Sequence, residues 1–165
     1  MRMTQLSGLL SAVALALAGC SPSSSDAAPQ STQAAAPAVH PESGLPVVPL
    51  RVIHGNKTFA FRVEVARTGQ EQAKGLMFRT AMGPDEGMIF PMDPPRGASF
   101  WMRNTVIPLD IIFVGPDRRI LNIAANAVPY SEAPIPSEGL AGAVLELNGG
   151  RAAELGIAPG DTVEW

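Results

Sequence analysis

The sequence predicts a mainly β, α+β fold: a small antiparallel barrel-like domain of about seven or eight short strands with two short helices. Three observations lead there. Apolar and polar residues alternate over several short runs. Turn signals recur between those runs. Gly and Pro number 16 each in 165 residues, together roughly a fifth of the chain, a share that disfavours a bundle of long helices.

Residues 1–19 read as a lipoprotein signal peptide. Arg2 gives a positive start, and Leu9–Ala18 is apolar apart from Ser11. That stretch is about ten residues, half of what a membrane-spanning helix needs, and it fits the apolar region of a secretory signal. It ends Leu17-Ala18-Gly19-Cys20, which resembles the lipobox of bacterial lipoproteins. The resemblance implies lipidation of Cys20, cleavage just before it and a membrane partner through the acyl chains, several of which make a stable anchor. Cys20 is the only cysteine, so its lipidation leaves no thiol for redox or nucleophilic chemistry, and the chain cannot form an intramolecular disulfide. Localisation is then the cell envelope. In a Gram-negative host, Ser21 fits delivery to the outer membrane, facing the periplasm. Residues 20–46 are the lipidated Cys and a spacer rich in Ser, Ala and Pro, too polar and small to bury a core. His40 in that spacer reads as solvated.

Residues 47–165 form the single β-rich domain. Val48, Leu50 and Val52, then Phe59, Phe61, Val63 and Val65, alternate around the turn His54-Gly55-Asn56-Lys57, the pattern of a hairpin. Thr68 with Glu71 makes a capping box and starts a helix over about 69–76. Met88–Phe90 is a strand stopped by Pro91, and residues 93–97 read as a loop. Ala98–Arg103 is a strand, and 110–125 is a hairpin about Gly115-Pro116-Asp117-Arg118. Residues 126–141 hold three Pro and one Gly and read as a long surface loop. Ala143–Leu147 is a strand, Gly150–Leu155 a turn or two of helix, and Asp161–Trp165 the last strand.

Charge and composition exclude some functions. Net charge is −3 with apolar residues at 46%, so the chain is no nucleic-acid binder. Two histidines and one cysteine leave little for a metal centre, and neither metal nor cofactor is expected. No nucleophile elbow, zinc-protease helix or phosphate loop is present.

Gly75-Leu76-Met77-Phe78-Arg79, Gly87-Met88-Ile89-Phe90, Phe100-Trp101-Met102-Arg103-Asn104-Thr105, Ile107-Pro108-Leu109-Asp110-Ile111-Ile112-Phe113 and Val144-Leu145-Glu146-Leu147 follow one another in an order that closely resembles the domain of unknown function 192 family. These are small proteins, often exported or lipid-anchored. The resemblance covers about residues 50–165 and implies a mainly β, barrel-like fold, but no reaction. Arg103 stands where that family commonly has Lys, and residues 126–141 lack the cysteines some relatives carry.

The candidate ligand- or partner-binding residues are Arg79, Trp101, Asn104, Asp110 and Glu146. Asp110 and Glu146 sit inside apolar runs, where an acid must be paired or turned to water. Arg79 either pairs with one of them or joins them in a polar pocket, and Asn104 either lines that pocket or caps a turn. Alternation sends Phe100 and Met102 to one face and Trp101 to the other. An exposed Trp101 is a contact residue, a buried one is core. Trp165 either folds back onto the domain or stands exposed. The leading reading is a lipid-anchored envelope module that binds a small molecule or an envelope protein at a face rimmed by 126–141, without catalysis. One alternative is a hydrolase or transferase with Asp110 and Glu146 as acid and base. Another is Cu(I) handling by Met77, Met82, Met88, Met92 and Met102.

Overall fold

The computed structural model describes residues 38–165. The expected signal peptide, Cys20 and residues 21–37 lie outside the described residues. The chain enters through a two-residue strand, β1 (Ala38–Val39), laid on β2 (Pro46–His54). The domain therefore begins inside the stretch expected to be spacer.

β2 and β3 (Lys57–Val65) form the expected hairpin, with His54 paired to Lys57 across the turn. Leu50, Val52, Phe61, Val63 and Val65 all point inward, as period-two alternation requires. Thr68 caps α1 (Gly69–Lys74), and its partner Glu71 closes the capping box. Gly75, at φ 46°, stops the helix two residues earlier than expected.

β4 (Glu86–Phe100) is the main departure from the sequence reading. Pro91 does not stop it, and the expected loop at 93–97 lies within it. The register against β7 (Ile135–Asn148) slips between Pro91, which still faces Ala143, and Arg96, so Pro94 and Pro95 occupy a bulge where no ladder N–H is required. The strand expected to run to Arg103 stops at Phe100. β5 (Leu109–Val114) and β6 (Ile120–Ala127) make the expected hairpin. The expected loop at 126–141 shrinks to 128–134, because β6 runs to Ala127 and β7 starts at Ile135. Pro136 sits opposite Ser99 and Leu140 opposite Gly97, so the folded-over end of β4 supplies the partner that turns this stretch into strand. α2 (Arg151–Leu155) and β8 (Thr162–Glu164) complete the chain.

The strands run β1-β2-β3-β4-β7-β5-β6, with β8 also on β2. Among the described strands only β3 and β4 pair in parallel, and α1 lies in their crossover. The sheet curls into a half-barrel. Its ends approach where Arg119 bridges Thr162, with Ile120 N donating to Asp161 O at 2.9 Å and Val163 N to Arg118 O at 2.8 Å. One face of the sheet carries the core built on Leu50, Val63, Ile89, Ile112 and Leu145. Trp165 folds back against that core, and Arg118 stacks on its ring at 3.4 Å. The other face carries a second core of Leu76, Met88, Phe90, Met102, Ile111 and Val144.

Candidate functional site

Alternation on β7 decides where its acid points. Leu145 and Leu147 belong to the first core and Val144 to the second, so Glu146 faces the second. Its register partners are Met88 on β4 and Ile111 on β5. Gly87 makes that register feasible, because a Cβ there would stand 2.5 Å from the Glu146 carbonyl oxygen.

Above this part of the sheet lies a cleft of about 330 Å³, between residues 72–77 and the folded-over end of β4. Phe90, Met92 and Phe100 wall it. The Phe90 and Phe100 rings meet edge to face at 5.0 Å, a geometry that fixes both planes. Trp101 is 48% exposed and lines the opening, with the Arg103 guanidinium 5.6 Å from its ring centroid. Lys74 and Arg96 are exposed lining residues on either side.

Glu146 lines the floor and is 5% exposed. Among the described residues its carboxyl has no hydrogen bond and no ion pair. Burial alone pushes its pKa up to about 8, because desolvation penalises the charged form. At neutral pH it is mainly a neutral acid, able both to donate and to accept a hydrogen bond.

The other sequence candidates do different work. Asp110 is fully buried, and its carboxylate accepts from the backbone N–H of Asn126, Gly150 and Ala152 at 2.8, 2.9 and 2.8 Å. It holds the start of α2. Its register partner is Leu147, so it lies on the opposite sheet face from Glu146. The two carboxylates share no cleft, and an acid/base pair made of them has no common substrate position.

Arg79 pairs with neither of them. Its guanidinium clasps buried Glu64 at 2.9 and 3.2 Å and reaches Glu42 at 3.0 Å. Ser43 also hydrogen-bonds Glu64, and His40 lies 3.7 Å from it. His40 is therefore part of a polar latch that ties residues 40–43 to the domain, and is not a solvated spacer residue. Arg79 also lines a second cleft of about 260 Å³, which shares Lys74, Gly75 and Met77 with the first.

Asn104 caps a turn. At φ 56°, its carbonyl accepts from Phe78 N at 2.9 Å and its amide points at Met77 Sδ at 3.8 Å. It docks the turn that carries Arg103 and Thr105 onto residues 77–78. The 128–134 loop braces the same turn, with Ser131 O accepting from Met102 N at 2.8 Å, but contributes no residue to the cleft. Met88 and Met102 are fully buried and Met92 nearly so, and Met82 packs against them. These methionines fill the second core.

Two of the five candidates, Trp101 and Glu146, thus meet in one cleft. Sequence reasoning missed Lys74 and Arg96, which only the fold-back of β4 brings together, and Glu64. Glu64 falls on the polar side of an alternating strand and gives no sign that residues 40–43 cover it.

The solved structures resemble this chain closely. A protein of unknown function from Novosphingobium aromaticivorans is 67% identical, with TM-score 0.77, covering 80% of this chain and 94% of its own. A Sinorhizobium meliloti protein described as a candidate transcription regulator is 40% identical, with TM-score 0.71, covering 73% and 94%. No curated protein matches the chain significantly. The DUF192 family, described as "Uncharacterized ACR", matches residues 51–165. With its half-barrel and the motif blocks in place, this chain belongs to the DUF192 family.

Proposed function

We propose that this protein is a binding module held at the cell envelope by lipid on Cys20, and that a small molecule enters the cleft floored by Glu146. The observation that carries the binding reading is a contrast between three buried acids. Asp110 has three backbone donors and Glu64 has Arg79. Glu146 has no partner among the described residues. The Glu146 carboxyl is not sealed in: it opens onto the cleft, so whatever fills the cleft, water or a ligand, has to meet it. A ligand polar group supplies what the fold does not. The surroundings suit such a ligand: apolar walls with few polar groups are the usual make-up of small-molecule sites.

The envelope reading rests on residues 1–21 of the sequence. Full-length protein extracted from membranes is expected to show an acylated N-terminus at Cys20 by intact mass spectrometry. An unmodified N-terminus contradicts it. For binding, a fragment library is screened by amide NMR on the full-length protein in detergent. Hits that shift Met77, Trp101 and Glu146 support the reading. A library whose hits all map elsewhere contradicts it.

A further inference from the structure

We propose that the ligand of this cleft is a compact organic anion, its flat apolar body seated among Phe90, Met92 and Phe100 and its anionic head held at the opening by Lys74, Arg96 and Arg103. This inference rests on the binding reading above and adds the chemistry of what binds.

Charge is the first argument. The three exposed ionised side chains lining the cleft are all cations. They come from separate parts of the chain: α1, β4 and the turn after β4. Among the described residues Lys74 and Arg96 enter no ion pair or side-chain hydrogen bond. Arg103 has only a 3.8 Å exposed contact with Glu132. The sole acid lining the cleft is Glu146 at the floor, and as a neutral acid it does not offset them. A cleft lined by one sign of charge concentrates ligands of the other, and guanidinium groups favour carboxylate and phosphate oxygens.

Shape is the second argument. A volume near 330 Å³ is at the small end of ligand sites. Half-buried Phe100, braced edge to face by fully buried Phe90, presents ring surface on which a flat body stacks. Trp101 continues that surface to the opening, where Arg103 lies over its ring and is held near the ligand head. Glu146 then hydrogen-bonds a polar atom on the body.

Three probes with one ring system separate charge from shape: indole-3-acetate, indole-3-acetamide and tryptamine. They are titrated calorimetrically into the full-length protein in detergent near neutral pH. The expected order is anion, then neutral amide, then cation, with the acetate bound at least about tenfold more tightly than tryptamine. In the Lys74→Gln, Arg96→Gln double variant that ratio is expected to fall below about threefold with the thermal melt unchanged. Tryptamine binding as well as the acetate, or better, overturns the inference and leaves cleft binding standing. No binding by any of the three also overturns it, and fragment hits at Met77 and Trp101 then keep the broader reading alive on their own.

Discussion

Glu146 and Arg79 show opposite ways of burying a charge-bearing group. Arg79 is 5% exposed and fully engaged with Glu64 and Glu42. Removing one partner of such a pair strands the other, at a cost of about 3–5 kcal/mol. Arg79→Ala is therefore expected to lower the unfolding free energy from urea melts by that much and to speed hydrogen exchange over residues 40–45, which the latch holds. Glu146 has a folded pKa raised from 4.5 to about 8. The native state then keeps a proton that the unfolded chain gives up, so stability falls as pH rises from 4.5 to about 8. The charged side chains lining the cleft with it are Lys74, Arg96 and Arg103, while β5 presents only Ile111 beside it. The loss across the window is on the order of 5 kcal/mol. Urea melts of Glu146→Gln across this window are expected to be flatter than wild type by that amount. Equal slopes would mean that Glu146 titrates normally. Glu146 was legible as an acid inside an apolar run, and Trp101 as a residue whose exposure would decide its role. The partner of Arg79 was not legible, because β3 and β4 pair across a helical crossover that no local pattern announces.

At the scale of elements, Asp110 and Gly87 position the rest. Asp110→Ala would leave the N–H groups of Asn126, Gly150 and Ala152 without their acceptor. At about 1–3 kcal/mol for each buried orphan donor, the variant is expected to lose at least about 3 kcal/mol by chemical denaturation. A loss near zero would contradict the capping role. Gly87→Ala forces a Cβ against the β7 backbone at 2.5 Å, and a penalty of about 1–3 kcal/mol is expected. The β2–β3 and β5–β6 hairpins and the Thr68 cap were readable because each is set by residues close in sequence. β4 was not, since Pro91, Pro94 and Pro95 read as strand breakers until β7 is placed beside them. Residues 135–141 were misread as loop for the same reason: their partner is the distant end of β4.

For the whole molecule, the lipid anchor and the binding domain are separable claims. Cys20→Ala is expected to move the protein from the membrane fraction to the soluble fraction without changing the domain's melting. Retention in the membrane fraction would contradict anchoring through Cys20. The proposed binding role turns on an open cleft floored by an acid whose pKa burial raises. A carboxyl carbon-13 titration of Glu146 by NMR tests this most directly. The account predicts a midpoint near 8 in the free protein and movement of the same resonance when indole-3-acetate is added. A midpoint near the ordinary 4.5, with no response to the probe, would contradict it.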